Sequence, residues 1–307
     1  MFYTCTMNPA IDLFVATTNY LPKIVNRSLA DEVQANGKGV NVSFILKRLG
    51  IENTALGFSG GFTGKYIEEV LQQKGVRTRF IQVEGLTRIN VFTQVQSENT
   101  EYKLVNQGPK ITENQMNCLL QQIAQLSAAD HLIISGSTPQ GIPDEFILKI
   151  ARLSQQNKFK LILDISSPIS LQCLSFQPYC LKPNEEELAS WFGKSSLSQE
   201  ELLDYGAKLI ELGAQSVLVS VGGRGSFYFS KETILFANAP TGNVINTACA
   251  GDTLLGTFIG ALQHGKSVEK ALSFGVAAGS STAFSPGLTD FKDVPELEKQ
   301  IKVSKIK

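Results

Sequence analysis

The residues best suited to chemistry lie near the end of the chain, in Asn246-Thr247-Ala248-Cys249-Ala250-Gly251-Asp252-Thr253. These small residues lead directly into Leu254, Leu255, Phe258, Ile259 and Leu262, whose spacing marks one face of a helix. The first N–H groups of a helix have no internal partner, so an anion held there gains hydrogen bonds and the favourable end of the helix dipole. The carboxylate of Asp252 would then stand where it could take a proton from a hydroxyl attacking that anion. The same residue could equally be a simple helix cap, a position that Asp favours. A second turn, Asn36-Gly37-Lys38-Gly39-Val40-Asn41, also opens a helix, since Phe44, Ile45 and Leu49 follow Val40 at helical spacing. Its glycines let backbone approach a ligand closely, while Lys38 and Asn41 bring donors suited to a polar or phosphorylated molecule.

Three further patterns compete with these. Gly260 to Ser267 fits the phosphate-binding pattern G-x-x-x-x-G-K-[ST], but that motif must follow a strand, and here it follows a helix that Gly265 is placed to stop. Gly57-Phe58-Ser59-Gly60-Gly61 fits the nucleophile elbow of serine hydrolases. Such a hydrolase needs a general-base histidine, and only His131 and His264 exist, one at the start of an apolar run and one at a helix end. Asn184-Glu185-Glu186-Glu187 is either a metal site or a solvated acidic helix start favoured by the dipole.

The elements needed to position such groups follow an alternation of short apolar runs and helical patterns, the signature of an α/β fold with a mostly parallel sheet. Leu132-Ile133-Ile134, Leu161-Ile162-Leu163, Leu181 and Val217 to Val221 are the runs, and each ends in small or polar residues: Ser135, Asp164, Lys182 and Gly222. Ligands bind beyond the carboxyl ends of such strands. Helices are expected over about 39–49, 63–74, 113–126, 143–156, 199–212, 252–263 and 267–283. Two regions break the rhythm, about 11–35 and 88–107. In the second, Ile89, Val91, Thr93 and Val95 alternate with Asn90, Phe92, Gln94 and Gln96, as in a strand of a small separate sheet. No repeat or linker divides the chain, so 1–307 reads as a single domain with that sheet inserted as a lid.

Composition narrows the class further. The chain is 43% hydrophobic and 18% charged, with 28 basic and 28 acidic residues, so it lacks the global positive field of a nucleic-acid-binding protein. No apolar segment is long enough for a membrane span, and the start of the chain carries no signal-peptide pattern. Five cysteines without a C-x-x-C and with two histidines support neither a disulfide framework nor a structural zinc, which points to the cytoplasm.

Taken in order, the motifs resemble those of the ribokinase-like (pfkB) carbohydrate kinases, over nearly the whole chain. They are Asn8-Pro9-Ala10-Ile11-Asp12, Gly37-Lys38-Gly39-Val40-Asn41, Thr87-Arg88-Ile89-Asn90, Ser135 to Gly141, Lys182-Pro183-Asn184 with Glu187, Ser220 to Gly225, and Ala250-Gly251-Asp252. The resemblance implies that Asp252 deprotonates a sugar hydroxyl as it attacks ATP, with the N–H groups of Ala250, Gly251 and Asp252 as an anion hole. It also implies that Asp12, Gly37 and Asn41 hold sugar hydroxyls, and that Lys38, Arg88 and Asn90, with Ser137, lie near a phosphate already on the sugar. Lys182, Asn184, Ser220, Gly222 and Gly225 would line the nucleotide site, and Glu187 would act on Mg²⁺ through water. The lid would join two copies as a homodimer.

Within the family, Thr87-Arg88-Ile89-Asn90 and Gly287-Leu288-Thr289-Asp290 look most like the branch that converts fructose 1-phosphate to the 1,6-bisphosphate. The branch acting on tagatose 6-phosphate has nearly the same motifs, and Val105 stands where the former usually has asparagine. Two further departures are Asn36 and Cys249, where the family pattern has glycine, and they leave a binding-only pseudokinase as an alternative. If the backbone at Cys249 has positive φ, its side chain costs on the order of 1 kcal/mol.

Overall fold

The computed structural model describes all residues from Met1 to Lys307. Strand β1 (Phe2–Thr6) enters a main sheet, after which β2 (Ala10–Thr17) and β3 (Ser28–Asn36) leave it for a smaller one. Helix α1 (Lys38–Arg48), β4 (Asn53–Gly60), α2 (Gly61–Gln73) and β5 (Arg77–Val83) return to the main sheet. Strands β6 (Arg88–Val95) and β7 (Thr100–Leu104) complete the small one. The chain continues through α3 (Glu113–Ile123), β8 (His131–Ser135), α4 (Asp144–Asn157), β9 (Lys160–Asp164), α5 (Ile169–Cys173) and β10 (Cys180–Leu181). Helices α6 (Glu185–Trp191) and α7 (Gln199–Glu211) then lead to β11 (Val217–Ser220), β12 (Gly225–Phe229) and β13 (Ile234–Asn238). Helices α8 (Ala250–Gln263), α9 (Val268–Ala283) and α10 (Val294–Glu298) precede the last strand, β14 (Val303–Lys305).

The main sheet has ten strands in the order β14-β13-β12-β11-β10-β9-β8-β1-β4-β5, and the seven from β11 to β5 run parallel. The mostly parallel α/β reading therefore holds. The sequence reading did not anticipate the antiparallel edge formed by β12, β13 and β14.

Both faces of the sheet are buried, which is why its strands are apolar at successive positions rather than at alternate ones. Leu132, Ile134, Leu161, Leu163, Val217 and Val219 face a core shared with α3, α4 and α7. Ile133, Ile162 and Leu218, one residue out of phase, face α8 and α9 through Leu255, Phe258, Ile259 and Leu272. No helix is long and apolar enough to cross a membrane.

The two segments that broke the βα rhythm form the four-stranded sheet β3-β2-β6-β7. Its pairing opposes Leu13 to Val33 and Val91, and Val91 to Leu104. One residue away, Asp12 opposes Gln34 and Asn90. Because successive side chains point to opposite faces, an apolar row and a polar row lie back to back.

Strands β1 and β4 come unusually close where Thr6 pairs with Gly57. Gly57 has φ +142°, and a Cβ there would run into the backbone carbonyl of Thr6. The first glycine of the G-x-S-x-G pattern thus serves the sheet. Gly57→Ala is expected to cost more than about 3 kcal/mol, since backbone strain and a backbone clash add. Denaturant unfolding of the variant checks this; a loss under about 1 kcal/mol would contradict it.

Candidate active site

Helix α8 starts from Cys249, whose φ of 63° lies in the left-handed region and whose side chain makes no cap bond. The first firm helical hydrogen bond is that from Thr253 N–H to the Cys249 carbonyl at 2.9 Å. Ala250 N–H makes only a 3.4 Å contact with Thr247 O, and the N–H groups of Gly251 and Asp252 have no backbone acceptor. The N-terminal end of α8 therefore has N–H groups free to meet a ligand. Asp252 is only 5% exposed, and Asn41 Nδ2 donates to its Oδ2 at 2.8 Å. Burial and the neighbouring Asp164 charge raise its pKa to about 6, against the opposing pull of Asn41, Lys38 and Lys182.

A continuous polar chain leads away from Asp252. Asn41 Nδ2 also donates to Asn36 Oδ1 (2.8 Å), Asn36 Nδ2 to Asp12 Oδ2 (2.5 Å), and Asn90 Nδ2 to Asp12 Oδ1 (2.8 Å). Burial raises the Asp12 pKa, while Asn90, Asn36 and Arg88 work against the rise. At Gly37, whose φ is +140°, a Cβ would run into Thr6 and Pro9, and its N–H donates to Asn36 Oδ1.

At the far end Arg88 donates to the carbonyls of Asn8 (2.9 Å) and Asn106 (3.3 Å), and Asn8 donates to Ser137 Oγ at 3.3 Å. Arg88 Nε and Asn8 Oδ1 are buried without a partner. Unmatched buried polar atoms are costly, so a donor and an acceptor stand ready for a ligand there. Asn8 belongs to a motif the sequence displays, yet its convergence with Asn106 on Arg88 is visible only in the fold.

On the other side of Asp252 lies a cleft of about 620 Å³ lined by Lys182, Asn184, Ser220, Gly222, Gly225 and the 249–252 turn. Sequence reasoning had set Lys38 beside Arg88 and Asn90. The structure instead holds its ammonium 3.1 Å from Asp164 and 3.8 Å from Glu187, at this cleft. Burial would lower the Lys38 pKa, but Asp164, Glu187 and Asp252 outweigh it and keep the lysine charged.

Asp164, at the end of β9, is noted in the sequence only as the polar end of an apolar run, and the structure makes it the meeting point of two lysines. Its side chain is fully buried, receives Lys38 and Lys182 at 3.1 Å each, and has Oδ2 without a partner. Glu187 closes a capping box with Asn184, each side chain accepting the other's N–H, at 2.9 and 2.7 Å. No three carboxylate, cysteine or histidine side chains gather as a cation cage. An unpartnered Asp164 oxygen with Glu187 close by instead fits Mg²⁺, which keeps most of its waters and takes one or two carboxylates.

The competing motifs do not assemble. Ser59 is buried, donates to Glu68 at 2.6 Å and accepts from Gln82 at 3.0 Å. His131 stacks on Phe2 and has its pKa lowered to about 4 by burial, and His264 bonds the Leu49 carbonyl. Gly265, Lys266 and Ser267 lie past the C-terminal end of α8, roughly 17 Å along the helix from Asp252.

Residues 6–295 match the family described as pfkB family carbohydrate kinase. A D-tagatose-1-phosphate kinase from Bacillus licheniformis is 49% identical over 99% of both chains. A 1-phosphofructokinase from Bacillus subtilis is 37% identical over 100% of both. The tetrameric inhibited form of phosphofructokinase-2 from Escherichia coli superimposes with a TM-score of 0.89 at 26% identity, covering 97% of this chain and 98% of that one.

The raised pKa of Asp252 has a stability consequence. Above about pH 6 the buried group must ionise, so its contribution is most favourable below pH 4 and is lost as pH rises through its folded pKa. Asp252→Asn is expected to stabilise the fold at pH 8 by about 2 to 3 kcal/mol, with the gain vanishing near pH 4. Urea unfolding at both pH values measures the difference, and an equal gain at each would contradict this origin.

Proposed function

The chain belongs to the pfkB family of carbohydrate kinases, and on that premise we propose that it transfers the γ-phosphoryl group of ATP to the 6-hydroxyl of a ketohexose 1-phosphate. The single observation that carries this reading is the position of buried Asp252. It stands between a polar chain ending at Arg88 and a separate cleft ending at Lys182 and Asn184. The sugar would lie along Asp12, Asn36 and Asn41 with its 1-phosphate at Arg88, Asn8 and Ser137. Arg supplies a planar pair of donors for that phosphate.

ATP would occupy the cleft of Ser220, Gly222 and Gly225, its γ-phosphate toward the open N–H groups of Gly251 and Asp252. Asp252 takes the proton of the attacking hydroxyl, and the helix start stabilises charge on the transferring group. Lys38 and Lys182 balance that charge from the side. Asp164, and Glu187 through water, would hold Mg²⁺, which when bound would supply positive charge to the nucleotide phosphates.

Fructose 1-phosphate and its C4 epimer tagatose 1-phosphate are the two substrates this reading admits. Relatives named for each support it, and those relatives draw attention to the 1-phosphate rather than to tagatose 6-phosphate. The strained Cys249 keeps a binding-only pseudokinase as the second reading. Coupled ADP release with both sugars separates the two. Asp252→Asn should lower kcat about a thousandfold with KM little changed, as loss of a general base does. Wild-type kcat/KM should fall tenfold per pH unit below about pH 6. Equal turnover in wild type and variant would overturn the mechanism.

We further propose that the small sheet is a lid whose closure keeps water from the phosphoryl group, and that it joins two copies. Its apolar row Val33, Leu13, Val91, Leu104 faces away from Asp12, and its ends are 44% and 60% exposed at Val33 and Leu104. Tyr20 and Tyr102 extend the patch. Exposed apolar rows of this kind seek a partner surface. Wild type should sediment as a dimer at micromolar concentration and Val33→Glu with Leu104→Lys as a monomer. A monomeric wild type would overturn this.

A further inference from the structure

Asn36 has no part in the scheme above beyond lining the sugar's path. Its orientation is fixed. Oδ1 accepts two hydrogen bonds, from Gly37 N–H at 2.6 Å and Asn41 Nδ2 at 2.8 Å, so the amide cannot turn over without losing both. Nδ2 therefore points the other way. One of its hydrogens goes to Asp12 Oδ2 at 2.5 Å, and the second has only the Cys249 sulfur at 3.9 Å. Sulfur is a weak acceptor, so a donor is left over beside Asp12.

The surrounding groups come from one side. In the small sheet Asn36 opposes Ala10 and Asp12 opposes Asn90, and the period of two along β2 puts Ala10 and Asp12, with their partners, on the same face. Asn90, Asp12 and Asn36 form a one-sided row. If the sugar's 6-hydroxyl meets Asp252 and its 1-phosphate meets Arg88, as proposed above, the carbons in between, C3 and C4, lie alongside Asp12 and Asn36.

The two epimers differ there. In the furanose ring of tagatose the 3- and 4-hydroxyls are cis, and in fructose they are trans. A one-sided row can engage both hydroxyls of the cis pair, whereas in the trans pair one of them points away. With glycine at 36 the row would end at Asp12 and lose the spare amide donor beside it.

We propose that Asn36 is a specificity-determining residue that favours tagatose 1-phosphate over fructose 1-phosphate by binding the 4-hydroxyl on the same ring face as the 3-hydroxyl. This rests on the kinase reading, and the test keeps the two apart. Steady-state kcat/KM is measured for both sugars on wild type, Asn36→Gly and Asn36→Ala. Each ratio comes from one preparation, so an incompletely folded variant does not distort it.

Wild type should prefer tagatose 1-phosphate, and both variants should reduce the tagatose-to-fructose ratio about tenfold or more, the worth of one well-placed hydrogen bond. A ratio unchanged within a factor of two in both variants, or a wild-type preference for fructose 1-phosphate, overturns the assignment of Asn36 alone. Absence of turnover with both sugars overturns the kinase reading and this proposal together.

Discussion

The active-site end of the fold depends on one electrostatic constraint, the burial of two carboxylates, Asp252 and Asp164, near the same lysines. Burial and the charge of Asp164 raise the pKa of Asp252, and buried carboxylates cost stability unless cations are fixed beside them. Lys182, itself only 4% exposed, and Lys38 are fixed there, both on Asp164 Oδ1. Their pull on Asp252 is real but smaller than the burial and repulsion that hold its pKa near 6. The result is a carboxylate that is ionised at neutral pH yet basic enough to accept a proton, the compromise that general-base catalysis favours. The four groups come from α1, β9, the segment after β10 and α8, so the strand order that sets β9 beside β10 is itself part of the electrostatics.

The small sheet meets a different constraint with the same economy. One strand-to-strand register gives both the polar row of Gln34, Asp12 and Asn90 and the apolar row of Val33, Leu13, Val91 and Leu104 on the opposite face. A slip of one residue would exchange the faces, putting Leu13 where Asp12 now meets Asn36 and Asn90, and Asp12 on the apolar face. The register is held by more than backbone pairing. Phe14 stacks on Phe92 at 5.0 Å, and Asn106 donates to both the Asn90 side chain and the Ile89 carbonyl.

Much of this was legible in the sequence, and what was not has a physical reason. The runs Leu132-Ile133-Ile134 and Leu161-Ile162-Leu163 announced a sheet buried on both sides, and the alternation over 89–96 announced a strand with two different faces. Strand β12 was missed because Ser226 to Phe229 lacks a simple alternation, being buried throughout. Asp164 was passed over because a lone Asp after an apolar run looks like any strand end. Only the arrival of two lysines from distant segments sets it apart. Lys38 was sent to the wrong neighbour for the same reason. A long flexible side chain goes to whichever carboxylates the fold brings near, and those are not its neighbours in sequence. Gly57-Phe58-Ser59-Gly60-Gly61 looked like a nucleophile turn because sequence records the glycine but not its cause, which is contact between β1 and β4.

The two departures from the family pattern, Asn36 and Cys249, are 213 residues apart in sequence and adjacent in space, both joined to the side chain of Asn41. In the sequence they are separate defects, a side chain in a glycine turn and a side chain where positive φ costs on the order of 1 kcal/mol. In the structure the strain at Cys249 sets its sulfur 3.1 Å from Asn41 Nδ2, next to the amide of Asn36. Burial and the nearby Asp252 raise the thiol's pKa, so it stays neutral and adds no third charge to the carboxylates around it. The pair is one feature built around the Asn41 side chain, and the backbone strain at Cys249 lies at the open start of α8.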